Sequence, residues 1–598
     1  MKTSGHKIQY GVDTLTNPAL IRDRVLSIDS VNRTYRGGLN DTRPPFQLLS
    51  LVFRNQGEQE LFENGSLTGL KGYNGIAPYT RSHIVATVGK HVFVGQIIGT
   101  TCYMRSIYDG LDDRYLHQFF VQGETILVIN DGKNEGVFWN GQVDNMRKIS
   151  ESTWINNNRP MPIGNISAYA HGRLWILTED GILYAGDHLY SQGNAASDEV
   201  LLSFSESAYP SSGDGFTATS EWGEARALAI VPRDPSTNGH GEVICFHEYG
   251  AYSVYPIDDR NAWTTQNIQQ TVIAGIGACS PWAVATVNND LFFRRSDNNI
   301  SSLRDAVSQK TSNIQIRSLG GEVSKYANLD SDSTLRFTMS GKDDERVFFS
   351  VNHSVEDNKV LGGKHRYGNG MIVLDLYPGT TSSPDQISWD GLWTGPRVTG
   401  IAEIGFGSKK QAIFSSYDTD GKNRLYIVRR FRGDDILSEG ARRIVSMYSI
   451  GGLFDGIGTD SANLPVVSSL SGSILLYSDT VETATVSADF RVGYSQNWFM
   501  LYKPQEIGLN PSDNSLFFDV QSGQFNSGGV SSTCSVTEKR PKIIGTPFDL
   551  RTKIEGSVII RANLLLADQS EMSPSKTTSC AGDSEMVDDE YNLFTYQF

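Results

Sequence analysis

SPWAVATVNNDLFFRRSDNNISSLRD, residues 280–305, reads as three short strands joined by two tight turns. Residues 281–287 alternate, Asn288-Asn289-Asp290 turn the chain, and 291–295 form a second strand. Residues 296–299 turn it again and 300–303 form a third. Asn and Asp tolerate the left-handed conformations that tight hairpins require. The same strand–turn–strand–turn–strand phrase recurs along the chain and sets its organisation.

Working outward, the repeat is expected to begin near residue 83. A first triplet covers 84–88, 91–98 and 102–107, a second 117–121, 125–130 and 136–140, and a third 166–170, 174–178 and 181–185. The fourth is 225–231, 242–247 and 251–256. Residues 280–305 are the fifth, and the sixth is 334–339, 346–351 and 371–376, with 340–345 as a turn and 387–393 as an added strand. The seventh is 398–404, 412–417 and 424–430. Second strands start near Val92, Ile126, Leu174, Val243, Leu291, Val347 and Ala412, in steps of 34, 48, 69, 48, 56 and 65 residues. That spacing suits blades of about 40–50 residues with loops inserted in some. Repeated meanders without intervening helices close into a β-propeller, where radial repetition leaves few exposed edges. The expected fold is therefore all-β, with a propeller-like core of about six to eight blades. A sandwich pair or a β-helix is the alternative, though a β-helix requires shorter, more regular coils.

Domain boundaries follow from where the repeat stops. Residues 1–80 are expected as an N-terminal arm with its first strand or strands, 47–54 reading as one of them. Residues 35–45 carry turn formers and the pair Pro44-Pro45, which does not fit a central strand. The core spans 81–435. A C-terminal β region spans 436–598, expected either as a separate β domain or as strands that close the propeller, with the Gly-rich 451–464 breaking the repeat. Within it 473–477, 485–494, 498–502, 516–520 and 556–567 are strand-like, and 568–589 is polar and expected as loop. Inserted loops are expected at 191–198, 209–215, 356–370 and 380–386, lengths that carry contacts or function more often than structure.

Charge and composition narrow the function. The 598 residues carry a formal charge of −15, which argues against gripping nucleic acid by neutralising phosphates. No apolar run is long enough to span a membrane, and the first residues lack the apolar stretch of a secretory signal. The five cysteines, Cys102, Cys245, Cys279, Cys534 and Cys580, are scattered and form no CxxC pair; they read as small buried residues in a reducing compartment.

Motifs of catalysis are not found. There is no P-loop, GxSxG elbow, HExxH or dinucleotide fingerprint. His247-Glu248 lacks a second His at helical spacing. Asp112-Asp113, Asp258-Asp259, Asp343-Asp344 and Asp588-Asp589 adjoin turn signals, whereas paired catalytic carboxylates must face each other across a substrate. Residues 416–421 (SYDTDG) resemble the Asp box of sialidase-like propellers with the Gly one position late and no Trp; a hairpin turn is the simpler reading, ahead of a Ca²⁺ loop through Asp418 and Asp420. Arg294-Arg295, Arg429-Arg430-Phe431-Arg432 and Arg442-Arg443 read as salt-bridged or solvated spots that also suit an acidic partner subunit. No catalytic, cofactor or metal-binding residue is assigned.

Two phrases carry a family resemblance. LFFRRSDNNISSLRD (291–305) resembles a strand–turn–strand phrase of tail proteins from short-tailed bacteriophages (podoviruses). RGGLNDTRP (36–44) resembles the Gly-Gly-Leu-Asn…Pro entry of phage nozzle proteins of the tail tubular B type and of related stabilisation proteins. The likeness covers about the first 430 residues. Trp-Asp blade endings and blade-by-blade Gly-Gly doublets, which mark WD40 and Kelch propellers, are missing. The resemblance implies a non-enzymatic virion protein, with the C-terminal β region, where it is a separate domain, at the nozzle tip. It would form a homo-oligomeric ring, a hexamer, beneath the portal–adaptor complex, conduct genomic DNA during ejection without binding it specifically, and carry tail fibres. Assembly would take place in the host bacterial cytoplasm. The alternatives are another tail adaptor, hub or stabilisation protein, a propeller glycoside hydrolase acting on host surface polysaccharide, and a cellular binding propeller.

Overall fold

A computed structural model describes residues 11–15 and 27–450, apart from 37–40, 78–79, 113–116, 144, 156–158, 179–180, 190–196, 207–214, 218–221, 233–239, 257–262, 264–268, 276, 288–289, 305–318, 360–361, 377–387, 407–408, 430–433, 443 and 445–446. Beyond 450 it describes strand segments as backbone only. The chain forms two compact units: 46–372 with 395–428, and 1–45 with 373–394 and 429–598.

The first unit is a β-propeller. Its seven innermost strands are Leu67–Tyr73, Phe119–Gly123, Ile166–Ala170, Ala225–Pro232, Val284–Val287, Ser340–Asp343 and Val398–Phe406. Each lies against the next, and Val398–Phe406 returns to Leu67–Tyr73, so the ring closes. In each blade the innermost strand pairs antiparallel with the strand that follows it. Antiparallel meanders are the structure that tight turns permit. The turns carry the expected chemistry: Asn298 at φ 67°, Glu124 at φ 48°, Asp344 at φ 56°, and His171-Gly172 at φ 53° and 67°. The two residues linking Val287 to Asp290 lie outside the described set, but Val287 and Asp290 themselves are paired across the hairpin.

Apolar side chains fill the spaces between blades. Tyr73, Val92, Leu127 and Trp139 join the first blade to the second, and Trp175, Leu183, Val243 and Tyr252 join the third to the fourth. At the seam, Phe62, just ahead of the first blade, and Ile84, Phe93 and Met104 within it pack on Ile404, Ile413 and Leu425 of the seventh. Gly72 lets the seam close, because a Cβ there would sit 1.9 Å from the Glu403 carbonyl oxygen. The seventh blade takes its outer strand, Phe46–Leu48, from the start of the unit, against Asn423–Val428. A propeller laced in this way cannot open at the seam without breaking strand pairing there.

Several expectations need correction. Residues 47–54 are not one strand. Leu49 separates Phe46–Leu48, in the seventh blade, from Ser50–Phe53, which runs parallel to Thr101–Tyr108 in the first. The first blade begins at Leu67–Tyr73, ahead of the repeat signal at 83. A helix, Gln56–Asn64, precedes it, capped by the Asn55 side chain accepting from the Glu58 N–H. In the sixth blade, 334–339 is not a strand: Asp332–Leu335 is a helical turn capped by Ser331. The innermost strand is Ser340–Asp343, expected as a turn. The expected loop 356–370 is largely the outer part of a long hairpin, Arg346–Asp357 with Lys364–Asp375. The expected loop 380–386 lies outside the described residues.

In the other unit, Ser27–Val31 runs antiparallel to Met447–Ile450, with Val31 also paired parallel to Leu392 of Ser388–Trp393. Two arginines of the 36–44 phrase fasten this region. Arg36 donates from Nε and Nη2 to Asp375 at 2.7 and 2.8 Å. Arg43, buried, donates from Nη1 and Nη2 to Asp435 at 2.9 and 2.6 Å and from Nε to the Asn32 side chain. Bidentate pairing of this kind fixes geometry as well as charge. Farther along, Val466–Tyr477 lies between Ser515–Asn526 and Ser557–Leu565, and Thr483–Val492 pairs with Pro547–Ile554. Residues 568–589, expected as loop, contain the strand Glu571–Ala581, which borders its sheet. Proline is tolerated at such an edge.

Candidate functional site

The innermost strands surround a cavity of about 740 Å³. Every blade contributes to its wall, among them Lys71, Gln122, Tyr169, Thr286, Lys342 and Glu403. Its charge is concentrated where the seventh blade meets the first and sixth. Glu403 Oε1 lies 2.9 Å from Lys410 Nζ, and Oε2 lies 3.4 Å from Lys342 Nζ. Lys410 is 63% exposed and stands at the mouth. Lys71, half-buried, has no carboxylate within ion-pair distance among the described residues. Burial pulls its ammonium below the usual lysine range, Glu403 opposes this, and the Lys410 charge adds to the lowering. Across the wall the Tyr169 hydroxyl donates to Glu124 at 2.5 Å, and Gln122 Nε2 donates to the Asn74 and Glu124 carbonyls at 2.8 and 2.9 Å.

The opposite end of the axis is spanned by aromatic rings. Phe119, at the start of the second blade's innermost strand, stacks on Trp282, just before that of the fifth, with centroids 5.0 Å apart and planes at 6°. Blades two and five are not neighbours in the ring, so this stack crosses the axis. The His117 ring lies 5.1 Å from Trp282. Burial, reinforced by the Arg366 charge, pushes the His117 pKa down to about 4, so it is neutral at pH 7.

A second cluster lies within the sixth blade and its surroundings. His353 Nδ1 is 2.8 Å from Asp330 Oδ1 and its Nε2 is 2.9 Å from Ser350 Oγ. These are the distances of a Ser-His-Asp triad. Ser350 is wholly buried, however, and its Oγ also accepts the Met339 N–H at 2.8 Å. A nucleophile must be reachable and free to attack, so the cluster acts as a structural network. Arg294 completes it: Nη1 donates to Asp330, Thr338 Oγ1 and the Ser350 carbonyl, and Nη2 to the Ala327 carbonyl.

The residues singled out by sequence are dispersed. His247 is buried, with Nδ1 3.1 Å from the Gly223 carbonyl oxygen, and Glu248 faces Arg226. Asp112 pairs with Lys148 at 3.2 Å, and Asp343 accepts the Ala412 N–H. Residues 417–423 turn between Lys409–Tyr417 and Asn423–Val428; Ser416 and Tyr426 both donate to Asp418, and Arg424 pairs with Asp420. Arg295 pairs with Asp297, and the Arg429 N–H meets the Pro45 carbonyl. Asp113, Asp258, Asp259, Asp588, Asp589, Arg430, Phe431, Arg432 and Arg443 lie outside the described residues. Among the described residues no group of His, Cys, Asp and Glu is placed to hold a metal ion, and no helix is long and apolar enough to cross a membrane. Sequence reasoning missed the lysines of the cavity, whose only signal is a Lys within a strand turned toward the axis.

Cys102, Cys245 and Cys279 are free thiols, all buried. Burial raises their pKa values to about 12, 12 and 11. Because the thiolate is the reactive form, these three are expected to resist iodoacetamide at pH 8 and to label once urea unfolds the chain. Peptide mass spectrometry reads the result; native labelling at the unfolded rate would contradict the packing described.

No family model and no curated protein matches the chain. Among solved structures, "YCF48 bound to D1 peptide" aligns over 65% of this chain and 100% of its own, at 10% identity and a TM-score of 0.33. The propeller assignment stands on the closed ring of innermost strands.

Proposed function

We propose that the chain is a structural protein of a bacteriophage tail, assembling as an oligomeric nozzle ring through which DNA leaves the virion. The observation that carries this reading is the 36–44 phrase, which resembles the entry of phage nozzle proteins. Its two arginines are held by bidentate pairs with Asp375 and Asp435, more than 330 residues away in sequence. A phrase spent on tying distant segments together belongs to a framework rather than to a catalytic loop. The DNA path in this reading runs through a ring of copies. The propeller's own axis is ruled out as that path, because an aromatic stack crosses it. A duplex whose major groove alone is about 12 Å wide does not fit there. A net charge of −15 favours a lumen that repels phosphates and leaves DNA mobile.

The ring is a homo-oligomer, a hexamer by the resemblance, docked below a portal–adaptor complex and bearing tail fibres. It carries no enzymatic role, and it is assembled in the host bacterial cytoplasm before taking its place in the virion tail. Head-to-tail contacts whose rotation closes give such rings. Light-scattering mass and negative-stain images of the purified chain test it. A closed ring, alone or on mixing with a portal–adaptor complex, is the expected result. A compact monomer that never joins tail components would sink the proposal.

A further inference from the structure

We infer that the axial cavity of the propeller is a binding site for a small polyhydroxylated anion, a sugar acid or a sugar phosphate. Four observations converge on it. The cavity, at about 740 Å³, falls within the range of about 300–1,000 Å³ typical of small-molecule sites. The aromatic stack of Phe119 on Trp282 crosses the axis at the opposite end, making the cavity a blind pocket. Its charged lining is three lysines, Lys71, Lys342 and Lys410, against two glutamates, Glu124 and Glu403. Glu403 is already shared by Lys342 and Lys410, and Glu124 accepts from the Tyr169 hydroxyl.

Lys71 is therefore the cation left over. A half-buried ammonium without a counter-ion is costly, and an incoming carboxylate or phosphate supplies what is missing. The rest of the wall suits a polyol: Thr286 brings a hydroxyl, Ser167 one that accepts from Asn130 and still has its own proton to give, and Ser340 one that donates to the Trp282 carbonyl and can still accept, while Phe120 and Tyr169 bring aromatic surface. Nucleic acid is a poor candidate, since a duplex cannot enter a blind pocket of this size. The site does not depend on the nozzle reading, because each copy of the chain carries a whole cavity whether it is alone or in a ring.

The anion also favours the charged form of Lys71, whose pKa is lowered by burial and by Lys410 against the pull of Glu403. Binding at alkaline pH should therefore take up a proton, with Lys342, Lys410, Glu124 and Glu403 as the charged groups lining the same cavity.

Isothermal titration calorimetry of the full chain tests the inference, using glucuronate, glucose 6-phosphate, inorganic phosphate and glucose. At least one sugar anion should bind about tenfold or more tighter than glucose, the preference that one partly buried charge pair gives, and tighter than inorganic phosphate, which makes no polyol contacts. Whichever sugar anion binds tighter identifies the source. Lys71→Gln should remove the preference and the proton uptake, the latter seen by repeating the titration in buffers of different ionisation enthalpy. Lys410→Gln, at an exposed position that carries little folding risk, should weaken binding in the same direction. Silence with both sugar anions, equal binding of glucose, equal binding of inorganic phosphate, or a preference untouched by both substitutions would each overturn it.

Discussion

Arg294→Met is expected to destabilise the propeller by about 3–5 kcal/mol, the cost of leaving a buried charge without its partner. The Arg294 and Asp330 side chains are both 0% exposed and 2.8 Å apart. The guanidinium also donates to Thr338 Oγ1 and to the carbonyls of Ser350 and Ala327, so its loss takes a donor from three further acceptors, of which Thr338 Oγ1 keeps its own bond to the Leu335 carbonyl. Burial by itself would raise the Asp330 carboxyl. Hydrogen bonds and charge from His353, with the charge of Arg294, outweigh this and hold it well below the usual carboxylate range. Methionine fills much of the volume and none of the polarity. The double variant Arg294→Met/Asp330→Leu should cost less than the sum of its single changes, because it removes the stranded charge as well. Urea titration followed by tryptophan fluorescence measures both. A loss under about 1 kcal/mol for Arg294→Met, the scale of an exposed pair, would mean that water reaches the site.

The same arginine shows what the sequence made legible. In RRSDNN the turn could be read from Ser, Asp and Asn, and Asn298 does take the left-handed conformation. Whether Arg294 faced water or the core could not be read, because its partner Asp330 sits beyond the blade. Blades with alternating apolar strands and Asn, Gly or Asp turns were legible throughout. The two innermost strands that escaped are those that break this pattern. Leu67–Tyr73 (LTGLKGY) carries a glycine at the seam and a lysine in the cavity, and Ser340–Asp343 (SGKD) is polar because it borders a polar cavity. Conversely, 334–339 has the look of a strand, but Ser331 caps a helical turn there.

The cavity itself was illegible for a related reason. Lys71, Lys342, Glu403 and Lys410 come from three blades and meet only when the ring closes. No local spacing announces them. The closure was equally hidden, since Phe46–Leu48 is three residues of a stretch that looks like one continuous strand. Its partner, Asn423–Val428, lies at the far end of the propeller sequence.

Acid is expected to weaken the propeller well before its carboxylates titrate. Burial is the leading cause of a lowered pKa at His83, His117, His247 and His365. In the folded chain these rings take up protons only at lower pH, whereas in the unfolded chain they take them up near the ordinary value of about 6.5. The unfolded state therefore binds more protons, and stability falls as pH drops below about 6.5. For His117, which titrates at about 4 in the fold, the loss grows down to that pH and amounts to about 3 kcal/mol. The other three add in the same direction. Asp330 acts in a lower window: its depressed pKa contributes stability above the ordinary carboxylate value of about 3.9, and that contribution fades as pH falls further. Urea midpoints at pH 7.5, 6.5, 5.5 and 4.5 should decline mainly across the last three points. His117→Gln, which cannot be protonated, should flatten part of that decline. A midpoint constant from pH 6.5 to 4.5 would show that these imidazoles reach water in the folded chain, and a slope unchanged in His117→Gln would remove His117 from the account.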